Sequence, residues 1–259
     1  MKLLQKTGMQ LGVALCVVLG LPAAHADAIY LRTASQDNNV LKFDRTNPKK
    51  PGICVEVMQA VTQLDTGIHF PGWETPMPLP RVEQRLASNQ LDVFCALIKT
   101  PERESRFGFI EVPIYQVQHR IAVRADDAVQ VNSLEDIRKL GADAVVIVGK
   151  GTAHETYLRN QGGLLLEASS GSTDVNLRML AGGRGRFLYH TENALLRYIQ
   201  ESRLEGKVRL LPTVFKSEAL LFAVAPAVSP SSRDRLEAAL AKLSQRGELS
   251  RIFASYREN

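Results

Sequence analysis

The stretch LDVFCALIKTPERESRFGF, residues 91–109, decides how the rest of the chain is read. Leu91, Val93, Phe94 and Cys95 make an apolar run of strand length, residues 96–102 read as a loop, and the loop delivers one arginine, Arg103. A strand end, a turn and a cation directed into the space above the sheet is how open α/β folds build a ligand site. Taken alone, the charged turn of Glu102, Glu104 and Arg106 also suits a solvated or structural arginine.

Upstream, residues 29–34 read as a first strand and 35–39 as a polar loop. After Pro51 and Gly52, the residues Val57, Met58, Val61 and Leu64 recur at helical spacing. A short strand at 68–70, a loop holding the single tryptophan, Trp73, and a helix over 81–88 complete this half. Downstream the pattern restarts at His119. A strand at 121–123 precedes a helix that Ser133 and Asp136 cap, and the apolar run 145–148 fits a strand buried on both faces. That run ends at Gly149, Lys150, Gly151 and Thr152, where a helix over 153–160 begins. Strands at 164–166, 187–189 and 208–211 then alternate with helices at 173–181 and 192–202. Residues 218–225 form one more strand, and Ser229 with Pro230 starts a long helix whose core stripe is Leu236, Leu240 and Leu243. Past Gly247, Leu249, Ile252, Phe253 and Tyr256 give the last helix an apolar face. Strand and helix in turn predict a mainly parallel sheet covered by helices.

At the N-terminus, Lys2 and Lys6 precede an uncharged run that ends near Pro22 and a small-x-small site at Ala24, His25 and Ala26. This is the pattern of a cleaved signal peptide over 1–26, and the run is too short for a membrane span of roughly 20 residues. Its removal takes two lysines and no acid, so the formal charge falls from +5 to +3. That excess is too small and too scattered for a nucleic-acid partner. Cys54 and Cys95 remain, a disulfide candidate in an oxidising compartment, the alternative being two small buried thiols.

Asp92, then Thr100, Pro101, Glu102 and Arg103, then Phe107, Phe109 and the segment Pro113, Ile114 and Tyr115, resemble the family 3 extracytoplasmic solute-binding proteins of bacterial uptake systems. The resemblance runs over essentially the whole mature chain. It implies a two-domain, periplasmic-binding-protein-like (type II) α/β fold, each domain a mainly parallel sheet flanked by helices. Domain 1 would comprise 27–119 and 220–259, domain 2 would comprise 120–219, and two strands near 120–124 and 220–224 would join them as a hinge. The implied function is periplasmic capture of a small polar, carboxylate-bearing, amino-acid-like ligand for ABC-type uptake. The implied partners are that ligand and an ABC transporter permease or a membrane sensor. A monomer, not embedded in the membrane after cleavage, is expected.

In the family the arginine that matches Arg103 holds the ligand's carboxylate, a task suited to a guanidinium fork. Gly151, Thr152 and Ala153 open a helix whose free amides and dipole attract an anion. Ala96 and Ile98 stand where amino-acid binders usually carry small polar residues, and Thr191, with Glu192 beside it, stands where they carry an acid for the ammonium. The first loop lacks the usual stacking aromatic, and Trp73 is a candidate wall of the cleft. Ordinary α-amino acids are therefore in question as ligands. Secreted dehydratases use the same scaffold, and for that reading Glu192 and His190 are the acid/base candidates. An orphan sensor module is the third reading. His69, His119, His154 and His190 show no metal-ligand spacing, and no cofactor motif or catalytic constellation is present.

Overall fold

A computed structural model of the chain describes residues 27–256. The proposed signal peptide lies outside the described residues. The chain runs β1 (Ile29–Tyr30), β2 (Ser35–Gln36), α1 (Ile53–Leu64), β3 (Ile68–His69), β4 (Pro76–Met77), α2 (Leu79–Ala87) and β5 (Val93–Ile98). The one-turn helix α3 (Pro101–Glu104) follows, then β6 (Gly108–Arg124), α4 (Leu134–Lys139), β7 (Val146–Ile147), α5 (Ala153–Gln161) and β8 (Leu166–Glu167). The rest is α6 (Thr173–Ala181), β9 (Phe187–Thr191), α7 (Glu192–Glu201), β10 (Val208–Leu210), β11 (Lys216–Val224), α8 (Pro230–Gln245) and α9 (Glu248–Ser255).

The fold is α/β, with helices covering a mixed sheet in the order β5-β11-β6-β9-β7-β8, to which β10 adds by pairing with β6. β1 pairs in parallel with β3 and β2 with β4 apart from this sheet, and the expected mainly parallel pairing holds for only half of the strand pairs. β7 pairs in parallel with β8 and β9, but β11 runs antiparallel to both β5 and β6, and β6 runs antiparallel to β9 and β10. The cause is β6, a single 17-residue strand where the sequence showed only an interrupted pattern. Pro113 interrupts the local signal, but it falls in the register shift between the Phe222–Ile110 and Leu220–Tyr115 pairs, where no ladder N–H is required of it.

The buried apolar side chains gather in three clusters. The largest joins residues from β1 to the middle of β6 with those of β11, α8 and α9. The other two lie on opposite faces of β6, β9 and β7: Ala122, Ile147 and Leu188 face one, while Ile121, Val123, Val146, Val148 and Phe187 face the other. Strict alternation along each strand puts successive residues on opposite faces, so the apolar run at 145–148 is explained by cover on both sides.

Local signals also set the helix starts. Ser133 accepts the Asp136 N–H at 3.1 Å and Ser229 accepts the Ser232 N–H at 3.1 Å, each replacing a water for an amide without an intrahelical partner. The expected disulfide is corrected as well. Cys54 and Cys95 are free, buried thiols of the largest cluster, close enough for one to hydrogen-bond the other, and they serve there as small apolar residues. Among the described residues no helix is long and apolar enough to cross a membrane.

Phe222 of β11 is fully buried, pairs opposite Ile110 and packs on Phe70 at a centroid distance of 6.1 Å. Phe222→Ala should lower unfolding free energy by about 3–5 kcal/mol, read from urea denaturation. A loss of less than about 1 kcal/mol would contradict this packing.

Candidate functional site

The candidate site grows from the end of β5. Thr100 caps α3, accepting the Arg103 N–H at 3.3 Å, and this single turn swings Arg103 back under the strand it follows. The residue is 5% exposed. Its Nε and Nη2 donate to Glu83 Oε1 at 3.2 and 2.7 Å, and Nη1 donates to the Ile98 carbonyl at 2.6 Å. Three of the five guanidinium donors are thus fixed and two remain. The other Glu83 oxygen accepts from Arg106 at 3.3 Å.

A cavity of about 80 Å³ lies against this arginine. Leu97 and Ile98 of β5, Tyr115 and Val117 of β6 and Leu220 of β11 form its apolar floor. Opposite stand Thr152, Ala153 and His154 at the start of α5, His190 and Thr191 at the end of β9, and Ala194 of α7. Gln36, Asn39, Leu41 and Lys42 close the rim. The two walls touch beyond the cavity: Tyr198 Oη donates to the Asn38 carbonyl at 2.6 Å and accepts the Val40 N–H at 3.3 Å. A Cβ at Gly151, whose φ is +70°, would come within 2.9 Å of Pro80 on the facing wall, so only glycine suits both its backbone and its neighbour.

The start of α5 is less bare than the sequence implied. Thr152 accepts the Glu155 N–H at 3.3 Å and donates to the Gly149 carbonyl at 2.7 Å. Glu155 reaches back and takes the Gly151 N–H at 2.7 Å, a reciprocal cap that occupies part of the positive helix end. Among the described residues the amides of Ala153 and His154 have no partner, so these two are left for an anion.

Three histidines, not foreseen as a group, form the wall beside them. The His119 and His154 rings meet edge to face at 4.7 Å, and His154 and His190 at 4.8 Å. His119 Nδ1 lies 2.9 Å from Tyr189 Oη, and His190 Nδ1 accepts the Thr191 N–H at 2.8 Å. Both ring nitrogens of His154 are buried without a partner. Burial pushes the His119 pKa down to about 3, helped by His190 and Lys216 and outweighing Glu218, whose Oε1 lies 3.6 Å from Nε2, and pushes the His190 pKa down to about 4, helped by Lys42. Burial likewise holds His154 well below its ordinary value, with His190, His119, Arg103 and Lys42 adding to the effect. Among the described residues no group of His, Cys, Asp and Glu is arranged to hold a metal ion.

Arg103, Ile98, Thr152, Ala153 and Thr191 therefore line one cavity. Ala96 lies just behind it, its carbonyl accepting Lys42 Nζ at 2.6 Å. Gly151 lines the outer groove at the mouth with Pro80 and Glu155. Two residues lie elsewhere. Glu192 pairs with Arg120 at 3.1 Å and does not line the cavity, and Trp73 lies in a separate groove with Val55, Met58 and Phe70. In a larger polar groove at Arg124, Asp127 and Arg186, Arg186 pairs with Asp127 at 2.8 Å and Arg124 with Asp126 at 3.2 Å.

The model of the bacterial extracellular solute-binding proteins, family 3, matches residues 33–259. The chain belongs to this family. No curated protein matches it. Among solved structures this family member is similar to a histidine kinase sensor domain resembling periplasmic binding proteins, with TM-score 0.74, 22% identity, and coverage of 89% of this chain and 96% of the other. An ancestral arginine-binding protein bound to glutamine gives 0.72 and 19%, covering 89% and 98%. The ancestral amino-acid-binding protein AncCDT-1, a precursor of cyclohexadienyl dehydratase, gives 0.70 and 18%, covering 88% and 96%. These likenesses place the solute-binding protein in the type II periplasmic binding fold.

The histidine wall yields a pH prediction. A histidine whose pKa is lower folded than unfolded stabilises fully above the unfolded value of about 6.5, and that contribution is lost as pH falls towards the folded value. For His119, with a folded value of about 3, the loss between pH 6.5 and 5 should be about 2 kcal/mol, with His190 adding in the same direction. His119→Gln should flatten this part of the profile, read by urea denaturation at about pH 7 and pH 5. An unchanged slope would contradict a buried, neutral His119.

Proposed function

We propose that this solute-binding protein is an exported receptor whose two lobes, 27–119 with 220–259 and 120–219, close on a small carboxylate-bearing solute. The observation that carries the reading is the cavity itself. A buried guanidinium with two uncommitted donors faces two unpartnered helix amides across a small apolar floor. Such donors grip a carboxylate by charge-assisted hydrogen bonds. The wall-to-wall contacts at Tyr198 and Gly151 support a closed arrangement, with β6 and β11 acting as the strands about which the lobes would hinge. A solute that touches both walls favours the closed form by its differential affinity for that form. The closed surface would then be read by an ABC-type permease or a membrane sensor in the bacterial envelope.

Binding is favoured over catalysis because, of the two acid/base candidates, Glu192 is held by Arg120 outside the cavity, and His190, which lines it, has its Nδ1 taken by the Thr191 N–H and no acid beside it in the lining. The direct test is a thermal-shift screen of small carboxylates on the mature protein, followed by calorimetry. Removing Arg103 leaves Glu83 Oε1 without its two donors, so the informative variant is Arg103→Ala combined with Glu83→Ala. It should weaken the best carboxylate by about 2–5 kcal/mol, at least thirtyfold. Equal affinity in the double variant would overturn the anchoring role. Tyr198→Phe, which removes one donor from the closed contact, should weaken binding several-fold, about 1 kcal/mol. An unchanged affinity would show that this contact does not belong to the bound form.

A further inference from the structure

Lys42 has no counterpart in the reading above. It stands between the buried Leu41 and Phe43, and its ammonium comes to the cavity rim, where Nζ donates to the Ala96 carbonyl at 2.6 Å. Ala96 holds that position with φ at +59°, in the left-handed region that a side chain disfavours, a strain that proteins retain chiefly at sites. Two of the three ammonium donors remain, and no carboxylate among the described residues pairs with Lys42. Burial lowers the Lys42 pKa, with Arg103 adding to the effect, and an anion seated beside it would favour its charged form.

Among the described residues no acid lines the cavity to receive a ligand's ammonium. Glu83 is the carboxylate behind the cavity, and both its oxygens are engaged, one by Arg103 and the other by Arg106. Glu192 is turned to Arg120, and Thr191, where an acid would serve, is neutral. Glu83 is shared between Arg103 and Arg106, and Lys42 has no acid of its own, so the cavity side carries an excess of positive charge that an α-amino acid with no net charge would not neutralise. On the far wall His154 is 5% exposed, lines the cavity and has both ring nitrogens unpartnered. A neutral imidazole offers one N–H and one lone pair, the complement of a hydroxyl, and its N–H alone suits a keto oxygen. An ammonium there would find one acceptor and two neighbouring cations.

We infer that Lys42 is a second anchor of the ligand, and that the cavity selects small organic acids carrying a hydroxyl or keto oxygen where an amino acid carries its ammonium. The inference rests on the carboxylate-binding reading and narrows it. The acid's negative charge is shared by Arg103 and Lys42, and its second oxygen meets His154. The cavity's small volume restricts the acid to a short chain.

Matched pairs that differ only in hydroxyl against ammonium test this: glycolate with glycine, L-lactate with L-alanine, and L-malate with L-aspartate. The exported protein is stripped of bound solute by unfolding and refolding, and each Kd is measured by calorimetry. The hydroxy acid should bind at least tenfold tighter than its amino-acid partner in the best-binding pair. Lys42→Met, checked for its melting transition, should weaken the hydroxy acid at least tenfold and spare the amino acid. Thr191→Asp, which does not depend on Lys42→Met folding, should swing the preference towards the amino acid. If the amino acids bind more tightly to the wild type, or if Lys42→Met leaves the hydroxy-acid Kd unchanged, this inference falls while carboxylate capture stands. If no member of any pair binds, both fall.

Discussion

A guanidinium withdrawn from water must be given partners, and the way Arg103 is given them organises the site. Glu83 supplies the countercharge and the Ile98 carbonyl a third acceptor, so the fork is locked in orientation. Breaking such a pair from one side leaves an uncompensated buried charge, which is why position and charge state here are fixed together. Locking has a second effect: the uncommitted donors point where the fold directs them. Because α3 is one turn long and begins right after β5, that direction is the space at the strand's end, where the start of α5 comes to meet it.

The wall opposite is polar in composition and neutral in charge. Three histidines packed edge to face would repel strongly if protonated, and burial keeps them neutral at ordinary pH. The helix end adds partial positive charge, moderated by Glu155 on the Gly151 amide. The cavity as a whole is cationic on the side of Arg103 and Lys42, with hydrogen-bonding capacity on the side of His154. In the proposed reading a negatively charged solute would favour the closed arrangement by satisfying groups on both sides.

Much of this was legible in the chain wherever a signal is local. Ser133 and Ser229 announced helix starts, the apolar run at 145–148 announced a strand with both faces covered, and the motif around Thr100 and Arg103 announced one side of the cavity. What was missed depends on pairings across the chain. β6 hides behind Pro113 because a bulge that excuses proline is visible only once the partner strand is known. Lys42 and His154 carry no spacing pattern, since their importance comes from meeting across the cavity. Glu83 left a faint trace, a charge between Val82 and Leu86 on the buried face of α2. Trp73 and Glu192 were drawn to the site by residue type, but a groove beside α1 and the Arg120 side chain took them instead. Cys54 and Cys95 are neighbours, as their even count implied, yet they pack as thiols.

The most direct measurement is a crystal structure of the protein with its tightest-binding small carboxylate. The carboxylate oxygens should lie about 2.7–3.2 Å from Arg103 and Lys42 nitrogens, between the walls and against the start of α5. A carboxylate seated in the surface groove at Arg124 and Arg186, or turned away from both cations inside the cavity, would contradict the electrostatic design described here.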